Sequence, residues 1–326
     1  MYTARSAAYC CLMLGLSRTM AACAPDPQPD SGVLYDRAKA ASVEILIDGH
    51  LAGSGWFAHR EGLVVTAAHV LKARRSQTAV ISPVAGRLPA DTMAVDRGHD
   101  LALLRVPASG APYPFLGTAR GMPAPGKDVY LFASPMFRHQ IMLRGAVGRR
   151  SPTFEYLPDQ GHYIEAYHIS APSPKGTSGG CWLDARGRVV GCQSGFVSER
   201  GVGLGIALVT GPEAIRRLVR GRTSVTTPSV GTAFEEFWAQ PAGFIARFPE
   251  GAAGLVPVLP VKGGAAERAG LVGDLLITAV DSRPVQYRDE LLRVIRAKAP
   301  GDELTFTVLP PDGADPRHVK VTLAPL

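Results

Sequence analysis

The chain has 326 residues, enough for two ordinary domains with separate cores, and its 46% hydrophobic, 19% charged composition without low-complexity tracts excludes a disordered or fibrous protein. The 36 glycines and 27 prolines favour many short strands and turns over long helices. The net charge of +7 is carried by scattered arginines, with isolated pairs at Arg74-Arg75 and Arg149-Arg150, so it reads as solvated surface and no nucleic-acid partner is expected.

Residues 1–23 have the parts of an export signal. Met1 to Arg5 is a short basic start, and Ala7 to Leu16 is an apolar run too short to cross a bilayer. Met20-Ala21-Ala22-Cys23 then resembles a lipoprotein-type box, with Arg18 and Met20 departing from the usual pattern. The expectation is export to the periplasm or cell envelope, with Cys23 as the candidate lipidation site and membrane anchor. Residues 24–34, polar and proline-rich, read as a tether. Removal of Cys10 and Cys11 with the signal, and lipidation of Cys23, leave Cys181 and Cys192. Simple pairing about an Asp184–Gly187 turn places these two diagonally, so they read as either one disulfide or two buried free thiols.

From residue 35 to 220 short apolar strands alternate with turn signals, the pattern of an all-β barrel or sandwich. The expected strands are Ala41–Ile47, Gly55–Ala58, Leu63–Thr66, Leu101–Val106, Asp128–Phe132, Met142–Val147, Tyr163–His168, Val189–Gln193 and Gly203–Val209, followed by a closing helix over Pro212–Arg220. Residues 221–245 read as a linker whose aromatic cluster, Phe234, Phe237, Trp238 and Phe244, docks on a neighbouring domain. Residues 246–326 form a second domain. Its expected strands are Gly254–Val261, Leu275–Val280, Leu304–Leu309 and Val319–Leu323, with a short helix ending at Gly270 and an amphipathic helix over Asp289–Lys298.

Three strings carry the chemistry: Thr66-Ala67-Ala68-His69, His99-Asp100-Leu101-Ala102-Leu103-Leu104 and Gly176-Thr177-Ser178-Gly179-Gly180. A serine hydroxyl is a poor nucleophile at neutral pH and needs a base, which in turn needs an orienting carboxylate. His69 ends a buried-strand pattern, Asp100 precedes another, and Ser178 lies in a glycine-rich turn whose backbone N–H groups can face a developing oxyanion. No paired-ligand spacing of histidines and no phosphate-cradling loop is present, so no metal and no cofactor is expected.

In this order and spacing the three strings resemble the chymotrypsin-like double β-barrel, in particular its bacterial HtrA/Deg branch. The likeness extends through Gly53-Ser54-Gly55-Trp56-Phe57, Phe132-Ala133-Ser134-Pro135 and Arg144-Gly145-Ala146-Val147, over most of residues 41–210. It implies a mostly β fold of two six-stranded barrels, with His69 as general base and acid, Asp100 as orienting carboxylate, Ser178 as nucleophile, and Gly176 with Ser178 as oxyanion-hole donors. It sets Ala171, Pro172 and Ser173 near the floor of the primary substrate pocket and Gln193, Ser194, Gly195 and Phe196 along its wall, where no carboxylate appears. A small or medium apolar residue is therefore expected before the scissile bond. Thr177, Lys175, Pro172, Pro174 and Cys181 depart from the branch's usual residues.

Residues 254–323 resemble a bacterial-type PDZ domain, an α+β module, through Ala265-Ala266-Glu267-Arg268-Ala269-Gly270-Leu271, Gly273-Asp274-Leu275-Leu276 and Asp281-Ser282-Arg283-Pro284-Val285. Such a module takes C-terminal peptides as an added strand. The resemblance assigns the groove to Gly254, Leu255, Val256, Leu291 and Ile295, although Leu291 and Ile295 serve equally as core. Relatives in the branch form trimers, while no feature of the sequence itself shows a homotrimer here. The leading expectation is an exported serine endopeptidase acting on unfolded or damaged envelope proteins. The alternatives are a degenerate, protease-like peptide-binding scaffold and an esterase using the same triad.

Overall fold

A computed structural model describes residues 30–71, 76–311 and 315–326. The expected signal, including Cys23, and residues 24–29 of the expected tether lie outside the described residues. Helix α1 (Ser31–Ala41) corrects the rest of that tether. Asp30 caps it, its carboxylate accepting from the N–H groups of Gly32 (2.9 Å) and Val33 (3.3 Å). Leu34, Ala38 and Ala41 are buried by it.

Strands β1 (Ser42–Ile47), β2 (His50–His59), β3 (Leu63–Ala67), β4 (Thr78–Ser82), β5 (Gly86–Pro89), β6 (Asp91–Asp96) and β7 (Leu101–Arg105) form the first sheet. Their order is β5-β4-β1-β2-β3-β7-β6, antiparallel throughout, a half-barrel. The continuous apolar runs of β3 and β7 are explained by burial on both faces. Val64 and Leu104 pack with Ile45, Phe57 and Val80. Leu63, Val65, Leu101 and Leu103 pack with Trp56, Leu183 and Ile215 on the other side.

Strands β8 (Asp128–Ala133), β9 (Ile141–Val147), β10 (Thr153–Leu157), β11 (His162–Ser170), β12 (Cys181–Leu183), β13 (Val189–Glu199) and β14 (Val202–Thr210) form the second sheet. Its order is β10-β11-β14-β13-β12-β8-β9, and β9 pairs back onto β11 through Val147–Ile169 and Ala146–Ser170. Six strands thereby close into a barrel around Leu131, Ile169, Trp182, Val190 and Val209, while β10 hangs outside as a hairpin with β11. Helix α2 (Pro212–Gly221) seals the seam between the sheets with Ile215 and Leu218. The fold is mostly β, 43% strand and 17% helix, the double-barrel architecture expected.

Cys181 and Cys192 stand directly opposite each other, not diagonally. The hairpin turn runs from Asp184 to Arg188 and a bulge sits between Trp182 and Leu183, so two residues are added to the simple register. Both thiols are free and buried.

The remainder comprises β15 (Pro228–Ser229), β16 (Ala233–Glu236), α3 (Ala242–Ile245), β17 (Leu255–Val258), α4 (Ala265–Ala269), β18 (Leu276–Val280), β19 (Arg283–Pro284), α5 (Arg288–Arg296), β20 (Glu303–Leu309), β21 (Arg317–Thr322) and β22 (Ala324–Pro325). The sheet order is β16-β17-β18-β20-β21, with β19 on β18, and β15 pairs with β22. Much of the expected linker is therefore part of this α+β unit. Phe234 enters its core, whereas Phe237 and Phe244 join Phe248 and Val256 in a separate cluster and Trp238 stays exposed. The groove assignment also changes. Gly254 precedes β17, an interior strand between β16 and β18, so Leu255 and Val256 offer no free edge. Leu291 and Ile295 are core residues beneath the sheet.

Candidate active site

The three side chains singled out from sequence meet between the two sheets. β3 runs into a short turn of 3-10 helix at Ala68–Val70 that presents His69, and a second such turn, Arg97–His99, delivers Asp100 at the start of β7. Asp100 adopts the left-handed backbone region, φ 51°, which turns its carboxylate back toward the histidine. Its Oδ1 accepts the His69 backbone N–H at 2.9 Å, and its Oδ2 lies 2.7 Å from His69 Nδ1. His69 Nε2 is 2.9 Å from Ser178 Oγ. Asp100 is buried, while the imidazole keeps one edge open. Burial alone would lower the His69 pKa, but the hydrogen bond and charge of Asp100, together with the charge of Asp159, outweigh it and hold the value above the ordinary 6.5. Thr210, whose hydroxyl donates to the His99 carbonyl, steadies the turn before Asp100.

Ser178 sits in a turn tied down at every plane. Gly179 donates to the Gln193 carbonyl (2.7 Å), Gly180 to the Thr177 carbonyl (2.8 Å), and the Ser178 carbonyl accepts from Ser54 N–H (2.8 Å). The Thr177 hydroxyl donates to the Pro174 carbonyl at 2.8 Å, which accounts locally for threonine at this departure from the branch. Gly176 has φ +91° and Gly179 φ +81°; a Cβ on Gly179 would collide with Ser54 O and Thr66 Oγ1. The N–H groups of Gly176 and Ser178 have no hydrogen-bond acceptor among the described residues.

Two residues that sequence reading missed set this turn. Ser54 Oγ donates to the Gly176 carbonyl and accepts from Ser134 N–H, each at 3.0 Å. Met136, itself left-handed at φ 46°, donates its N–H to the Lys175 carbonyl at 2.9 Å, fixing the peptide plane that carries the Gly176 N–H. The only signal of Ser54 was its place between Gly53 and Gly55; nothing local marked Met136.

The expected pocket wall is rearranged. Gln193 and Ser194 are buried behind the surface, Gln193 bridging Trp182 Nε1 (2.8 Å) and Ser173 Oγ (2.6 Å), and Ser194 reaching Thr210 Oγ1 (3.3 Å). Their side chains brace the floor from behind. Gly195 gives only its carbonyl to Gln193 (2.5 Å), and Pro172 is exposed at the mouth. Ala171 is buried with its N–H on the Gly205 carbonyl (2.9 Å). No carboxylate stands among these residues.

A half-barrel and a closed six-stranded barrel with His, Asp and Ser converging in the cleft between them define the trypsin-like class. Residues 53–192 match the trypsin-like peptidase domain family. Curated relatives include the "Probable periplasmic serine endoprotease DegP-like" of Brucella suis, 26% identical over 278 residues, covering 84% of this chain and 53% of the relative. Serine protease PepD of Mycobacterium tuberculosis is 26% identical over 321 residues, covering 90% of this chain and 66% of its own. Among solved structures, the HtrA-type protease AlgW with tripeptide aligns at TM-score 0.62 and 19% identity over 91% of this chain and 98% of that one. The serine endoprotease from Yersinia pestis aligns at TM-score 0.58 and 19% identity, over 90% and 98%. The chain carries a trypsin-like peptidase domain over residues 53–192 and is similar to HtrA/Deg-type serine proteases, and it spans about half to two thirds of the length of these curated relatives.

Proposed function

We propose that the chain is an exported serine endopeptidase that hydrolyses peptide bonds of unfolded or damaged envelope proteins. The observation that carries this reading is the single imidazole bridging a buried carboxylate and a serine hydroxyl, 2.7 Å on one side and 2.9 Å on the other. Asp100 holds the proton on Nδ1, leaving Nε2 as the base. Ser178 Oγ attacks the carbonyl carbon of the scissile bond as its proton passes to Nε2. The carbonyl oxygen, now negative, takes the N–H groups of Gly176 and Ser178. His69 then hands its proton to the leaving amine, the C–N bond breaks, and an acyl ester remains on Ser178. Water, deprotonated by His69, attacks the ester; the carboxylic acid leaves and Oγ regains its proton.

The periplasmic names of the DegP-like relatives support export, and no described helix is long and apolar enough to cross a membrane. Anchoring through Cys23 belongs to the same proposal. The C-terminal unit is assigned as a PDZ-type module on its helix-sheet make-up and the position of α5 beside the edge strand β16. The test is digestion of reduced, unfolded casein. Fragments from the wild-type chain and none from Ser178→Ala are expected; an intact substrate with both proteins would leave a peptide-binding scaffold.

A further inference from the structure

The open edge of the C-terminal sheet is already filled, and its occupant comes from the protease barrel. β16 is an edge strand, paired on one side only with β17. Within that ladder Phe234 stands opposite Pro257, which has no N–H to exchange, so the backbone N–H and C=O of Phe234 face the free edge. A strand added by a partner would satisfy both. In this chain the Tyr163 hydroxyl does so, accepting from Phe234 N–H at 2.7 Å and donating to the Phe234 carbonyl at 3.2 Å. Burial pushes the Tyr163 pKa well up, so the hydroxyl keeps the proton it donates.

The rest of the β10–β11 hairpin completes the plug. The Tyr163 ring is parallel to that of Phe234, 6.4 Å between centroids, with Tyr156 edge-on at 5.0 Å. Tyr163 and Phe154 belong to the same buried cluster as Leu292 and Ile295 of α5. The Thr153 hydroxyl donates to the Asp289 carboxylate (2.8 Å), and Arg296 donates to the Tyr163 carbonyl (2.7 Å). Arg288 lies over the Tyr163 ring, 5.9 Å from its centroid, with a buried Nε that has no acceptor among the described residues. That donor is left over for the carbonyl of an incoming strand.

We propose that the groove between β16 and α5 is held shut by the chain's own β10–β11 hairpin, with the Tyr163 hydroxyl standing in for the main chain of a peptide, and that extended peptides enter only by displacing it. This rests on the reading of the C-terminal unit as a PDZ-type module and is independent of the protease chemistry.

The experiment uses the full chain carrying Ser178→Ala, so that peptides stay intact, with and without Tyr163→Ala. Both proteins are applied to an array of immobilised decapeptides with free carboxyl termini and varied apolar last residues. Capture by the Tyr163→Ala protein about tenfold above its parent supports the proposal. Equal capture by the two shows a groove that was open all along and overturns it. Capture by neither overturns the PDZ-type reading itself. Hydrogen exchange supplies a readout that survives a poorly folding alanine variant. The Phe234 amide exchanges slowly in the parent and about tenfold faster in Tyr163→Phe, the scale of one hydrogen bond lost. Exchange of Phe234 in the parent at the rate of an exposed edge amide would contradict occupation of the groove.

Discussion

Ser54 is the residue through which the account of the oxyanion turn can be probed without touching the triad. Its hydroxyl, 2% exposed, links the Gly176 carbonyl to the Ser134 N–H. In Ser54→Ala both groups lose that partner where water does not reach, at roughly 1–3 kcal/mol each, so about 2–6 kcal/mol acts against the present turn. The Gly176–Thr177 peptide lies between the planes carrying the two oxyanion donors, and its rotation misaligns both. Complete loss of one donor costs about 10²–10³ in kcat. Partial misalignment therefore predicts a fall of roughly ten- to a hundredfold, with KM little changed because the tether does not contact the bound ground state. Steady-state kinetics on a short fluorogenic peptide, with a thermal melt alongside, provides the measurement. Unchanged kcat with a lowered melting temperature would show that Ser54 braces the fold without setting the turn, and the reasoning would be wrong.

Activity should be low in acid and rise as His69 loses its proton, with the midpoint of kcat/KM above pH 6.5 because Asp100 and Asp159 together outweigh burial. Asp100→Asn removes the two raising contributions of Asp100 and leaves only that of Asp159, so the midpoint should move to lower pH while the plateau drops on the order of 10⁴-fold; a midpoint that stays put would separate Asp100 from the base. Gly179→Ala, forced against Ser54 O and Thr66 Oγ1 at φ +81°, should abolish casein cleavage, and retained activity would mean the turn is built differently. A peptide library should be cut after small or medium apolar residues; cleavage mainly after Lys or Arg would reveal a carboxylate acting in the pocket. Burial raises the Cys181 pKa to about 12 and that of Cys192 well above 9, so peptide mapping should find neither alkylated in the folded chain and both alkylated after unfolding without reductant. Resistance in the unfolded chain would reveal a bridge.

The triad was legible because each member is embedded in a phrase that makes physical sense locally: a histidine at the end of a buried strand, an aspartate at the start of another, a serine among glycines. Most strands of the barrels were legible for the same reason. The half-exposed strands β4, β5 and β6 and the outer β10 carried too little apolar periodicity to register. β16 was hidden by its two glutamates within a stretch of small residues, which is why a strand was read as linker. Gln193 and Ser194 were placed on the pocket wall by likeness, yet their polar atoms are spent on Trp182, Ser173 and Thr210, partners that only the folded chain identifies. Tyr163 illustrates the same limit, since its hydroxyl finds Phe234 across 71 residues of sequence.

A fluorophosphonate probe reads the central arrangement directly, because it reacts only with a serine hydroxyl whose proton can be taken and whose tetrahedral adduct is stabilised. One covalent adduct is expected on the full chain, mapped by mass to Ser178, forming faster as pH rises from 6 to 8 and absent in Ser178→Ala. An adduct on any other residue, or none between pH 6 and 9, would contradict it.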